Sequence, residues 1–258
     1  MEYLVFRLYG AMASWGEIAV GEDRHTANYP SKSAIIGLLG AALGIKRDDE
    51  ENQAQLQQGY TLAVEVFSTG HLLRDYHTTQ VPSATGKFNY RTRRDEIVLG
   101  KKQLGTILSS REYRSDALAL VAIRALDDAP YTLAELQKQL LQPKFHLYLG
   151  RKSCPLAAPL DPQLIAQDNF HQALKAFQHK PMLPTYLDSK GEFSKRDADW
   201  LGKPKDRHYY WEGQLNDFSD SLDTKQMQTR TRHDQPLSRK RWQFSPRQEH
   251  YLYLQGGE

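Results

Sequence analysis

Thiols are nearly absent from this sequence: Cys154 is its one cysteine. A single thiol can neither staple a fold nor build a Cys-rich zinc site, so the chain reads as a protein of the reducing cytoplasm. Long apolar runs are missing too. No stretch approaches the ~18 residues that a membrane-spanning helix needs, and no membrane partner is expected. The start, Met1-Glu2-Tyr3, has no basic region ahead of an apolar one, so no signal peptide is expected. The nine histidines are scattered. None falls in a His-x-His, His-Glu-x-x-His or Cys/His spacing, so no metal site is expected. There is no Walker A loop, dinucleotide fingerprint or nucleophile elbow, and no cofactor is implied. Internal repeats and low-complexity tracts are lacking as well.

What is present is an ordinary globular composition, 40% hydrophobic and 25% charged, which argues against disorder. Its 258 residues allow one large domain or a domain with an appendage. The net charge of +3 is small, but it is unevenly spread. From His71 to Arg114 nine basic residues face four acids, and from Lys225 to His250 seven face two. Each segment therefore carries +5, and the rest of the chain −7. Such segregation suits a protein that meets a polyanion on one side, although surface charge is often uneven for no such reason.

Tyr3 to Leu8 alternates, is rich in β-formers and reads as a first strand. Pro30-Ser31-Lys32-Ser33 opens an apolar helix from Ala34 to Ile45, with Ser31 as N-cap and Gly44 as stop. Gly37 and Gly40 inside it each cost ~1 kcal/mol relative to Ala, which implies close packing there, often with a sheet. Arg47 to Gly59 reads as an acidic, Gln-rich linker, and Tyr60 to Phe67 as the second strand. Ser68 to Ser110 is long, basic and without sustained period, as functional arms are. Within it, Arg91 to Val98 reads as one side of an extended hairpin. Asp116 to Arg124 reads as a strand, Thr132 to Gln142 as an amphipathic helix and Lys144 to Leu149 as a further strand. In the tail, Gln163 to Gln178 reads as helical, and Tyr209 to Trp211, Met227 to Arg232 and His250 to Leu254 as strands. The order of strand, helix, strand, arm, strand, helix, strand is the split βαβ pattern of a ferredoxin-like domain with an insertion after its second strand.

Four places carry chemistry. The turn Leu149-Gly150-Arg151-Lys152-Ser153-Cys154-Pro155 follows a buried-looking strand. Gly150 lets the backbone approach a ligand, while Arg151, Lys152 and Ser153 offer donors to phosphate. The alternative is a surface turn whose cations face water. Lys32 and Ser33 stand at a helix N-terminus, which favours an anion; simple capping by Ser31 is the commoner role. Arg74-Asp75-Tyr76-His77 is a basic and aromatic cluster in which Tyr76 and His77 can stack on bases. His77 could instead serve as a general base, or Asp75 could simply pair with Arg74. Arg111-Glu112-Tyr113-Arg114 closes the arm and mirrors that cluster. Trp15 reads as core.

Taken together and in order, these blocks resemble a known family. The first runs through Tyr3 to Leu8, Met12-Ala13-Ser14-Trp15-Gly16, Tyr29-Pro30-Ser31-Lys32-Ser33 and Gly37 to Ile45. Leu73 to Thr78, Arg111-Glu112-Tyr113 and Tyr148 to Leu156 follow. They resemble the CasD family, 5′-handle-binding subunits of type I-E CRISPR Cascade complexes within the RAMP superfamily. The resemblance covers residues 1 to about 160 and continues weakly near Thr231 to Asp234 and Ser245 to Tyr253. It implies an α+β, ferredoxin-like (RAMP/RRM-type) domain over residues 1–160 with a thumb inserted at about 68–110. Residues 161–258 would form a less regular, β-containing extension packed on the same unit. From Leu160 onward the chain is longer and more polar than the family leads one to expect.

The resemblance further implies a non-catalytic subunit that holds the 5′ handle of CRISPR RNA. Its partners would be a CasC-type backbone subunit and a CasA-type large subunit, with target DNA met indirectly through the complex. On this reading Lys32, Ser33, Arg74, Tyr76, His77, Arg111, Tyr113, Gly150, Arg151, Lys152 and Ser153 bind RNA. Arg91, Arg93, Arg94, Lys101 and Lys102 furnish the thumb. A related subunit of type I-C systems cuts RNA itself. The alternative is therefore a metal-independent endoribonuclease using His77 or His25 with Tyr76 or a lysine. A purely structural adaptor, its basic arm bound to protein, is the third reading.

Overall fold

A computed structural model describes residues 1–19, 21–82, 90–98, 104–180, 206–222, 224–238, 241 and 243–255. In chain order the strands and helices begin with β1 (Glu2–Tyr9), β2 (Met12–Ala13), β3 (Trp15–Gly16), β4 (Asp23–Arg24) and β5 (Thr26–Ala27). Then come α1 (Lys32–Leu43), α2 (Glu50–Gly59), β6 (Tyr60–Ser68), β7 (His71–Pro82), α3 (Arg93–Ile97) and β8 (Leu104–Ser115). β9 (Leu118–Ala125), α4 (Leu133–Leu141), β10 (Gln163–Ala166) and α5 (Phe170–Ala176) follow. β11 (Asp206–Trp211), β12 (Gln228–Ser238) and β13 (Gln243–Gln255) complete the set. Among the described residues no helix is long and apolar enough to cross a membrane.

Seven strands form one sheet in the order β10-β1-β9-β6-β11-β13-β12, with every neighbour pair antiparallel. β1 is buried along almost its whole length because each of its faces meets a core. Leu4, Phe6 and Leu8 point into one core with Ile35, Ile36 and Leu39 of α1 and Leu136 and Leu140 of α4. Tyr3 and Val5 point into the other, with Phe170 and Leu174 of α5 and with Trp211 and Phe218. Thus α1, α2 and α4 lie on one face and α5 on the opposite one. Trp211 and Phe218 stack at 4.5 Å between ring centroids, which closes the second face with aromatic surface.

Several elements match the sequence reading. Ser31 caps α1 by accepting a hydrogen bond from Ala34 N at 3.3 Å. Gly44 ends it with φ +79°, the left-handed geometry that favours glycine. Thr132 and Glu135 form a reciprocal capping box at the start of α4.

Other elements differ, each for a physical reason. Residues 50–59 are a helix and no linker. Asp49 caps it, Glu50 and Glu51 sit in its positive first turn, and Leu56 anchors it at zero exposure. One deeply inserted residue leaves no period to read. Gly40 of α1 faces Gln53 and Leu56 of this helix, so its close neighbour is a helix rather than the sheet, while Gly37 faces open space.

The arm after β6 is built on a twelve-pair antiparallel hairpin, β7 with β8. Residues expected as an extended strand at 91–98 instead hold α3, nucleated by a Thr92/Asp95 capping box. Lys144 to Leu149 is not a sheet strand. Lys144 and Phe145 donate their backbone N–H groups to Ala42 and Ala41, which satisfies the C-terminal carbonyls of α1. The outer strand beside β1 is β10, inside a segment expected to be helical from 163 to 178. Asn169 caps α5 partway along, and only Phe170–Ala176 is helical. No Gly or Pro marks that break. The three C-terminal strands continue the main sheet beyond β6.

Candidate nucleic-acid interface

The turn expected to hold phosphate is tightly fixed. Tyr148 and Pro155 bridge, Leu149 N donates to Cys154 O at 2.8 Å, and Cys154 N donates to Arg151 O at 2.9 Å. Leu149 and Cys154 are buried, whereas Lys152 and Ser153 are exposed. Gly150 adopts φ +81°, and a Cβ there would meet Ser14 O at 1.9 Å. Ser14 N donates to Leu149 O at 3.0 Å, so the turn lies flat on the loop after β1. Glycine is needed here both for its left-handed backbone and for the close approach.

From that turn a polar chain runs to the foot of the hairpin. Arg151 Nε donates to Ser14 Oγ at 2.9 Å, and Ser14 Oγ donates to Glu112 O at 2.9 Å. The Arg151 guanidinium lies 5.6 Å from the centre of the Tyr113 ring. Glu112 itself is buried, and its carboxylate accepts from Arg74 Nη2 at 2.8 Å and from Thr26 N at 3.3 Å. His25 Nδ1 stands 3.2 Å from Oε2, the same oxygen that accepts from Thr26 N. The Arg74 hydrogen bond holds the Glu112 carboxyl below its ordinary value. The linking roles of Ser14 and Glu112 are not expected from the sequence. The one signal is that Glu112 is an acid enclosed by the basic cluster at 111–114.

Register decides what the hairpin presents. Arg74 pairs with Glu112 and Tyr76 with Ser110 on one face; Asp75 pairs with Arg111 and His77 with Ser109 on the other. The hairpin thus divides Arg74 and Tyr76 from His77 and Arg111. Tyr76 is 62% exposed, and Arg111 is also exposed. His77 Nε2 bonds Asp75 Oδ2 on the adjacent pleat. Tyr113 is buried beneath Arg151. Arg91, Arg93 and Arg94 are exposed, with Arg93 paired to Glu96 at 2.6 Å. Lys101 and Lys102 lie outside the described residues.

Lys32 and Ser33 stand elsewhere. Lys32 is buried; its ammonium donates to Tyr60 O at 2.9 Å and pairs with Glu212. Ser33 Oγ contacts Ser31 Oγ at 3.0 Å. Tyr60 begins β6, whereas the turn bonds the end of β1 through Ala157 N to Tyr9 O. Tyr9 and Ser68 both pair with Leu118, so roughly 25 Å of strand separates these levels. The structure does not join the helix start to the turn in one wall. Lys32 balances a buried carboxylate there, a task invisible until Glu212 is placed.

Two arginines of the second basic segment, Arg232 and Arg247, are also committed internally. Arg247 chelates Asp234 at 2.6 and 2.9 Å and bonds Glu249 at 2.7 Å. Arg232 lies 3.4 Å from Glu17 and 4.0 Å from Glu249, above the Tyr29 ring. Tyr29 OH donates to Glu249. This lattice of charges ties β12 and β13 to the loop before α1. Among the described residues, no group of three or more His, Cys, Asp or Glu could hold a metal ion.

Known proteins share this sequence pattern and this architecture. The profile of the family described as CRISPR-associated protein (Cas_Cas5) matches residues 3–249. The CRISPR system Cascade subunit CasD of Escherichia coli (strain K12) is 38% identical over 168 residues, spanning 61% of this chain and 69% of the relative. A chain of a solved CRISPR RNA-guided surveillance complex superposes with a TM-score of 0.61 at 22% identity, over 98% of this chain and 90% of that one. A crystal structure of a Cas protein gives 0.60 at 24%, over 98% and 95%. At those identities the two structural likenesses concern the fold.

Proposed function

This chain belongs to the Cas5 family of CRISPR-associated proteins, and from that membership we propose that it is a non-catalytic RNA-binding subunit of a Cascade-type complex. It holds the 5′ handle of a guide RNA and joins a CasC-type backbone subunit to a CasA-type large subunit. The observation that carries this reading is the locked turn. Lys152 and Ser153 are exposed, held by Gly150, Arg151 and Ser14 against the foot of a hairpin that carries further exposed cations and Tyr76. Fixed donors of this kind suit phosphate oxygens.

The strand order β10-β1-β9-β6, with α1 and α4 on one face, supports a ferredoxin-like (RAMP-type) core. We read residues 1–166, in place of the expected 1–160, as that core because β10 is its fourth strand, and the β7–β8 hairpin as its thumb. Residues after Ala166 form an extension of the same unit. RNA-recognition modules stack bases on the open face of such a sheet. Here Phe170, Trp211 and Phe218 cover that face, which directs RNA to the turn and hairpin instead. Lys152, Ser153, Arg151 and Arg111 contact phosphate in this proposal, while Arg74, Tyr76 and His77 meet bases or sugars. Gly150 and Tyr113 shape the turn, and Lys32 and Ser33 serve the scaffold.

The test is co-purification from the host. Guide RNA and partner subunits should accompany the chain, and Arg151→Ala with Lys152→Ala should strip the RNA. Retention of RNA by that folded double variant would sink the site assignment. Incubation with repeat RNA in a chelator addresses the nuclease reading: clean cleavage, lost in His77→Ala, would replace the non-catalytic one.

A further inference from the structure

A ladder of rings crosses the helix-side face of the C-terminal strands. Tyr29 stacks on Tyr210 with centroids 3.5 Å apart, and Tyr210 lies 5.0 Å from Tyr251. His208 lies 6.0 Å from Tyr251, nearly parallel, and 5.2 Å from Tyr253. The inner rungs are buried and the outer ones open: Tyr253 is 42% exposed, and His208 and Tyr251 are half-buried. Polar bonds fix their orientations. His208 Nδ1 shares a 2.9 Å hydrogen bond with Tyr251 OH, and Tyr253 OH donates to Asp206 Oδ1 at 2.8 Å. The exposed Arg230 places its guanidinium 4.3 Å from the centre of the Tyr251 ring. Burial lowers the affinity of His208 for a proton.

A core aromatic cluster ends in apolar contact on all sides. This one ends in water, beside a cation. Its position matters equally. Leu8, Ala119, Val66, His208 and Tyr253 form one cross-sheet row. The open rings therefore stand at the same end of the sheet as Tyr9, the locked turn and the hairpin foot. Four strand spacings, about 19 Å, separate β1 from β13 along that row.

We propose that Tyr253, Tyr251 and His208, flanked by Arg230, form a second nucleic-acid contact that stacks unpaired bases of a single strand anchored at the turn. This rests on the reading of the chain as an RNA-binding subunit and adds to it a surface in the C-terminal third. Ring faces supply sequence-tolerant stacking, Arg230 adds charge toward phosphate, and the imidazole meets a base edge. The aromatic–cationic pairing favours a nucleic acid over an apolar protein segment.

The experiment uses the full-length chain with a single-stranded RNA carrying 4-thiouridine, and with a matched DNA carrying 4-thiothymidine. Photocrosslinked peptides are identified by mass spectrometry, and affinities are measured in parallel. We expect a crosslink in residues 243–255 with RNA, DNA or both, the pair of arms telling which sugar is accepted. Tyr253→Ala should weaken binding about tenfold, whereas Tyr253→Phe, which keeps the ring and loses the Asp206 bond, should bind like the parent. Arg230→Ala should weaken it severalfold. Crosslinks confined to residues 71–115 and 148–155, with Tyr253→Ala binding unchanged, would refute the platform and leave the turn reading intact. Loss of a co-purifying protein from Tyr253→Ala, with crosslinks and affinity unaltered, would identify a protein interface and also refute it. Absence of binding by every form would remove both readings together.

Discussion

Two stretches of this chain each carry a charge of +5, the hairpin region from His71 to Arg114 and the tail from Lys225 to His250, yet they use their cations differently. In the tail, Arg247 is 7% exposed and held by Asp234 and Glu249, while Arg232 is shared between Glu17 and Glu249. These two arginines are matched by carboxylates, one of them drawn from a distant part of the sequence. In the hairpin, Arg74 keeps 62% of its side chain in solvent while bonding the buried Glu112, and Arg91, Arg94 and Arg111 are exposed. A count of charges along a sequence does not distinguish an internal ion lattice from a surface open to a polyanion; the exposure of the cations themselves does.

The largest effect separating the two regions is expected at Arg247. Its replacement by Ala leaves Asp234 and Glu249 without their main cation inside the protein, which should cost about 3–5 kcal/mol. Chemical denaturation measures this, and a loss below ~1 kcal/mol would mean that the lattice contributes little. Next comes Gly150→Ala in the turn. The left-handed backbone and the overlap with Ser14 O should cost about 1–3 kcal/mol and weaken RNA binding as Arg151 shifts.

Acid should divide the regions further. Glu112, held below its ordinary value by Arg74, stabilises the fold above the unfolded carboxyl value and loses that contribution as pH falls through its folded value. Burial raises Glu65 and Glu212, so their contribution runs oppositely, present at low pH and lost as pH rises. Acidification into the carboxylate range should therefore speed amide exchange at residues 72–76 and 110–114. Amides of β6 and β11 around Glu65 and Glu212 should keep their protection. Glu112→Gln should abolish the hairpin's pH response, and a response unchanged in that variant would assign it to another group. The smallest effect is expected at Arg93, whose exposed pair with Glu96 spans three residues. Arg93→Ala should change stability by less than ~0.5 kcal/mol, measured by the same denaturation.

The same contrast explains what was legible in the sequence. The first core could be read because β1 and β6 are rich in apolar β-formers, α1 is a capped apolar run and α4 is amphipathic, and the caps at Ser31, Gly44 and Thr132 fall where their chemistry places them. The turn at Leu149 to Pro155 was legible from its glycine and cations. The helix at Glu50–Gly59 was not, since Leu56 is the one apolar side chain it inserts deeply. The fates of Lys32, Arg232 and Arg247 were hidden for another reason. Each is decided by a carboxylate far along the chain or across a strand pair, and only the sheet order β6-β11-β13-β12 brings those partners together. Likewise Ser14 and Glu112 acquire their role only when the turn is laid against the hairpin foot.

Whether the turn, and not the tail, is the main seat of the polyanion is decided by the salt dependence of RNA binding, measured side by side for two double variants. For Arg151→Ala with Lys152→Ala, the log–log slope of affinity against salt should flatten by roughly 0.7 for each phosphate of a single strand that is no longer neutralised. For Arg230→Ala with Arg232→Ala, where at most Arg230 reaches the RNA, the folded fraction should lose no more than one such step. A slope unchanged in the first pair and strongly flattened in the second would place the polyanion on the tail and contradict a site built on the turn.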